Sequence, residues 1–138
     1  RDLHPVALSF PTRRSSDLRI PFDSLPPYTR SADVGISLEE DIGLNYRYAL
    51  PNKIFDYIQA EVPILVSDLP EMKSIVKKYK VGEVVYDRNP EIMASIINKM
   101  LHDKDKLNNW KVNLKKAANE LCWENEQEKL VHVYKDFL

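Results

Sequence analysis

Beyond residue 18 the chain alternates between two hydrophobic patterns. Short continuous apolar runs occur at Val34–Leu38 (VGISL), Pro63–Ser67 (PILVS) and Glu83–Tyr86. Such runs suit strands buried on both faces. Between and after them, apolar residues recur every three or four positions, as on a helix with one buried face. This spacing predicts helices over Leu25–Ala32, Pro51–Ala60 and Asp68–Lys78. It predicts another starting at Asn89-Pro90-Glu91 and burying Ile92, Ile96, Ile97 and Met100. Two more cover Lys104–Leu121, with Leu107, Trp110, Leu114, Ala117 and Leu121 inward, and Trp123–Phe137, with Leu130, Val131, Tyr134 and Phe137 on one side. Glu39–Leu50 reads as a long polar connection.

Local start and stop signals agree with these boundaries. Ser24 is placed to cap the first helix, with Pro26 and Pro27 in its first turn. Asp68 and Glu71 have capping-box spacing. Asn89 followed by proline and an acid is a strong helix start. Gly82 is expected to end the turn before the third strand. Strands separated by helices imply a parallel sheet of βαβ units. Three strands are few for a parallel sheet. The expected fold is therefore α/β: the second half of a doubly wound, Rossmann-like domain with flanking helices, followed by a helical C-terminal tail.

Residues 1–18 lack either period. Ser9–Leu18 (SFPTRRSSDL) resembles translated sequencing-adapter read-through. The segment is expected to be a non-native scar or a disordered linker, outside the folded unit at 19–138. On this reading the native N-terminal part of the protein is missing.

Composition narrows the function classes. With 138 residues there is room for one core. Twenty basic and 21 acidic residues give a net charge of −1, which argues against a general polyanion binder. No apolar run approaches the about 20 residues that span a bilayer. One cysteine, Cys122, excludes an internal disulfide framework and fits a reducing compartment. Three glycines, Gly35, Gly43 and Gly82, cannot form a glycine-rich phosphate loop. A phosphate site would need another device.

The predicted helix from Pro51 offers one. Ile54, Phe55 and Ile58 fall in one sector, while Asn52, Lys53 and Asp56 fall opposite. A helix start presents unpaired N–H groups and partial positive charge, a natural anion site. Lys53 in the first turn opposes the helix dipole, and makes sense if a diphosphate sits in front of it. Asp56, one turn on, can accept from two adjacent hydroxyls such as those of a ribose. The same spacing also permits a plain Lys53–Asp56 surface ion pair. His102, His132 and Cys122 lack partners at metal-ligand or nucleophile spacing. Glu39, Glu40 and Asp41 form an acidic run open to a solvated-loop reading.

The stretches ADVGISL, LPNKIFDYIQAEVPILVSDLPEM, VGEVV and NPE, with the tail WENEQEKLVHVYKDFL, resemble the C-terminal domain of glycosyltransferases of family four. The resemblance covers about Phe22 to Leu138. Its most specific part, Leu50–Tyr57, is typical of a bacterial branch acting on cell-surface polysaccharides. It implies a GT-B enzyme, two Rossmann-like domains facing a cleft, with the nucleotide sugar held by the C-terminal one. It further implies sugar transfer with retention, no cofactor and no metal beyond the nucleotide-diphosphate sugar substrate.

On matching positions the resemblance puts the donor ribose at Asp56, where the family usually has glutamate. It puts the donor diphosphate at Asn52 and Lys53, and the donor sugar along 40–50. The family's partner acid, eight residues before Asp56, falls at Tyr48, which is not an acid. Hydroxyl recognition then passes to Asn45, Tyr48, Glu40 or Asp41. Glu61 replaces a small residue usual before Val62-Pro63. Catalytic residues are not assigned. The implied partners are a missing N-terminal acceptor-binding domain and a glycan or lipid-linked acceptor, with no nucleic acid. The implied place is the cytoplasm, peripheral to the inner membrane face through the missing domain. Trp123, Tyr134 and Phe137 would then serve an interdomain contact, or Trp123 the domain's own core. The fragment alone is expected to be inactive. A nucleotide-sugar epimerase of the same architecture, or a non-catalytic binding domain, remain the alternatives.

Overall fold

The computed structural model describes residues 21–135, with the side chain of residue 22 left aside. The segment 1–18, with His4, and the position Phe137 lie outside the described residues. The elements are α1 (Leu25–Arg30), β1 (Gly35–Ser37), α2 (Leu44–Arg47), α3 (Asn52–Gln59), β2 (Ile64–Ser67), α4 (Pro70–Tyr79), β3 (Gly82–Val85), α5 (Pro90–His102), α6 (Lys104–Glu120) and α7 (Trp123–Tyr134). The strands form a parallel sheet in the order β1-β2-β3, with Gly35 opposite Ile64 and Ile64 opposite Gly82. The expected α/β class, with flanking helices and a helical tail, is what the chain forms.

Both crossovers step the same way along the sheet, so right-handed connections place α3 and α4 on one face. α6 packs on both, and α5 joins β3 to α6. The core gathers Ile54, Ile58, Ile64, Leu65, Val66, Met72, Val81, Met100, Trp110, Leu114 and Ala117. Ile54 and Ile58 are fully buried. Each such side chain stabilises by about 1.5–3 kcal/mol, which fastens α3 to the sheet. Gln59 adds a polar tie, its amide donating to the Ala118 and Leu121 carbonyls at 3.0 and 3.1 Å.

Several local expectations are corrected. Ser24 does not cap α1 through its side chain; it ends a 3-10 turn over Phe22–Ser24 with helical backbone angles. The 39–50 connection contains the short helix α2. Asp68 does not form a capping box: α4 starts at Pro70 after an extended Leu69, and Asp68 pairs with Lys73 at 2.5 Å. The left-handed residue that ends α4 is Lys80 (φ 52°), while Gly82 opens β3. Asn113 donates to the Lys80 carbonyl at 3.0 Å and steadies that turn.

Asn89 does cap α5, accepting from the Glu91 N–H at 2.8 Å. The inward face of α5 is Met93, Ile96, Ile97 and Met100, whereas Ile92 is exposed. Trp123 is 65% exposed, so it is not part of this domain's core. Leu130, Val131 and Tyr134 of α7 are exposed too.

Glu61 has φ 58° and is exposed. Left-handed backbone is costly for a residue with a Cβ and easy for glycine. That explains why a small residue would be usual there.

Candidate functional site

In open parallel sheets, ligands bind beyond the carboxyl ends of the strands. In this chain that edge is occupied by a polar network centred on Glu39. Ser37, the last residue of β1, donates from Oγ to Glu39 Oε2 at 2.8 Å. Lys53, in the first turn of α3, places Nζ 2.6 Å from Glu39 Oε1. Ser67, the last residue of β2, donates from Oγ to the Glu39 carbonyl at 2.7 Å. Arg88, three residues beyond β3, donates to the same carbonyl and, at 3.0 Å, to Ser67 Oγ. Its other terminal nitrogen lies 3.7 Å from Glu40. The ends of all three strands and the start of α3 therefore meet at one acidic residue.

The buried serines end their strands for a local reason. Ser37 and Ser67 are 0% and 3% exposed, and a hydroxyl so buried needs a partner. Glu39 supplies both partners, one through its side chain and one through its main chain.

The electrostatics are specific. Burial pushes the Glu39 carboxyl up, but hydrogen bonds from Lys53 and Ser37 and the Lys53 charge pull it down further. The balance lies below the ordinary carboxylate value. A group depressed in the folded state stabilises above its unfolded value, and that stabilisation is lost as pH falls through the folded value. Carboxyl-carbon NMR is expected to find Glu39 titrating below an unperturbed glutamate, and Lys53→Ala to move it up. An unmoved Glu39 in that variant would mean the pair does not form in solution.

The residues singled out from sequence distribute as follows. Asn52 and Lys53 do open α3. Pro51 precedes them with extended angles and without a side-chain cap, and the Ile54 N–H turns back to the Pro51 carbonyl at 3.1 Å. The Asn52 and Lys53 N–H groups are thus left without a capping side chain at the open end of α3. Asp56 is exposed, not buried, and lines a shallow groove between α1 and α3 with Leu25, Thr29, Arg30 and Gln59. Lys53 pairs with Glu39, not with Asp56. Glu40 reaches Arg88. Asn45 lies on α2 and Tyr48 caps its C-terminus; both are exposed, and among the described residues neither side chain is hydrogen-bonded into the network. His102 meets the Asn98 carbonyl at 2.8 Å, as a helix-end histidine does.

Sequence reasoning missed the hub role of Glu39, and missed Ser37, Ser67 and Arg88. A signal was present for the first three: serine stands at or next to the end of each of the first two apolar runs, and an acidic run begins two residues after Ser37. Nothing in the sequence connected Arg88 to them. Among the described residues, no group of His, Cys, Asp and Glu could hold a metal ion, and no helix is long and apolar enough to cross a membrane.

Comparison with known proteins adds one finding. Residues 44–117, more than half of the chain, match the family model of glycosyl transferases group 1. The match runs from α2 into α6 and contains Asn52, Lys53, Asp56, Ser67 and Arg88. No curated protein and no solved structure matches the chain.

Proposed function

Because this chain belongs to the group 1 glycosyl transferases, we propose that it is the donor-binding half of a GT-B enzyme of family four, of the bacterial branch that builds cell-surface polysaccharides. The donor is a nucleotide-diphosphate sugar. Its ribose hydroxyls bind Asp56, and its diphosphate lies before Asn52 and Lys53. Glu40, Asn45 and Tyr48 flank the sugar. A second domain supplies the acceptor site, and the whole enzyme transfers the sugar with retention to a glycan or lipid-linked acceptor at the cytoplasmic face of a membrane.

The observation that carries this reading is the placement of α3. Its start opens at the carboxyl edge of a parallel sheet, and Lys53 and Asp56 stand on its exposed side. When the bond from the anomeric carbon to the diphosphate oxygen breaks, negative charge grows on the leaving group. The open N–H groups and the positive helix end are fixed beforehand where that charge appears, with Lys53 beside them in the same turn, paired with Glu39. Holding ribose and diphosphate on one rigid helix orients the reacting carbon toward the acceptor.

A thermal-shift screen of the chain with UDP, GDP, ADP and their sugars tests this. One nucleotide class is expected to raise Tm by roughly ten degrees at saturation, as a ligand at roughly a hundredfold its Kd adds about 2.7 kcal/mol. No shift with any of them at millimolar concentration would refute the donor-site reading.

A further inference from the structure

The three acids that follow β1 each hold a base from a different element. Glu39 holds Lys53 of α3 at 2.6 Å. Glu40 lies 3.7 Å from Arg88 beyond β3. Asp41 lies 3.4 Å from Arg47 of α2. Four of these six groups, Glu39, Glu40, Lys53 and Arg88, belong to the network at the sheet edge, and their charges cancel. A site for a diphosphate should show uncompensated positive charge; among these side chains none is left over, and only the uncapped start of α3 stays positive. The contact at its centre is also the best braced. Glu39 has only a fifth of its side chain exposed, against 70% for Glu40 and 45% for Asp41. Ser37 holds its other carboxylate oxygen, and Ser67 and Arg88 hold its carbonyl.

We propose that Glu39 is a specificity-determining residue: its carboxylate occupies Lys53 as an internal anion, and only a ligand group of higher charge, a diphosphate, displaces it. This rests on the donor-site reading of α3. A single carboxylate of the chain, held in place, has the advantage of proximity over a free ligand of equal charge. A free carboxylate or a singly charged phosphate ester therefore gains little by exchange. A diphosphate carries at least two charges and can also reach the uncapped N–H groups of α3, which Glu39 leaves open. Lys53 then changes partner without Glu39 leaving its serine. Glu39 loses its strongest stabilising contact, and its acidity weakens as the ligand binds.

The acid therefore acts against affinity, and two opposed outcomes follow from one substitution. If Glu39 served only to position the ammonium, its removal would weaken anion binding. If it competes for the ammonium, removal strengthens it. Glu39→Gln retains an oxygen for Ser37 and leaves the main-chain carbonyl to Ser67 and Arg88, so the fold is retained.

The test is isothermal titration of the full chain with inorganic pyrophosphate and with acetate. Glu39→Gln is expected to bind pyrophosphate about fivefold to thirtyfold more tightly than the unmodified chain, and to gain measurable acetate binding. In the unmodified chain, carboxyl-carbon NMR is expected to show Glu39 titrating at higher pH once pyrophosphate is added. Weaker or unchanged pyrophosphate binding in Glu39→Gln overturns the proposal, as does a Glu39 titration indifferent to pyrophosphate. If neither form binds pyrophosphate, no anion site lies beneath Glu39 and the proposal also fails. Nucleotide binding that depends on Asp56 but is indifferent to Glu39 sinks this inference alone, whereas absence of all nucleotide binding sinks the donor-site reading.

Discussion

Asp56→Ala is expected to weaken binding of the responsive nucleotide diphosphate by roughly tenfold to a hundredfold. A hydrogen bond to a charged group contributes about 1.5–3 kcal/mol, and about 1.4 kcal/mol is a factor of ten in Kd. The side chain is exposed at the mouth of the α1–α3 groove and carries no packing load. Its loss should change stability by less than about 0.5 kcal/mol. Affinity and stability thus separate, and calorimetric titration beside a denaturation curve reads both. Asp56→Asn keeps one acceptor oxygen and should fall between. Unchanged affinity in Asp56→Ala would remove this residue from the site, and with it the ribose assignment.

Gly82→Ala is expected to be the most destabilising single methyl addition in the described fold. Gly82 opens β3 and pairs with Ile64 across the sheet. A Cβ at this position would lie 1.8 Å from the Ile64 carbonyl oxygen and 2.7 Å from its carbon. Those atoms belong to the central strand's backbone, so no side chain can swing aside. The strands must part or slip, and a slip by one residue would turn every side chain of β3 to the wrong face. Overpacking a core costs about 1–3 kcal/mol when side chains can adjust. With the central strand's backbone as the obstacle, the loss should reach or exceed the upper end, lowering the urea midpoint by about 1 M or more. Gly43→Ala is the internal control. Its backbone is extended and nothing lies within 4 Å of an added Cβ, so its midpoint should stay put. A Gly82→Ala variant as stable as the parent would contradict the β2–β3 register.

Much of the architecture was legible because it rests on local chemistry. The apolar runs at 34–38, 63–67 and 83–86 became β1, β2 and β3 within one or two residues. Only β2 is buried on both faces: β1 leaves Ile36 44% exposed, and the first half of β3 is only partly buried. Asn89-Pro90-Glu91 starts α5 as its residue types require. Where reading failed, a residue had a choice of partners. Asp68 could cap a helix or pair with Lys73, and the extended Leu69 moved the start of α4 beyond its reach. Gly82 could supply a left-handed turn or a close backbone approach, and the sheet used it for the second. Ile92 has the right period for the core of α5, but the packed face is turned toward Met93 and Met100.

The candidate site divides in the same way. Asn52, Lys53 and Asp56 share one side of one helix, and helical geometry alone puts them there. The sequence by itself therefore determined the order of strands and helices, the apolar side of α3 and the polar groups opposite, since each depends on neighbours within about one turn. Only the tertiary structure decided that Lys53 meets Glu39, 14 positions earlier, and that Arg88 reaches back 49 positions to the Glu39 carbonyl. Those contacts depend on three strands ending at one edge. Strand order and register, which no local signal encodes, bring their ends together.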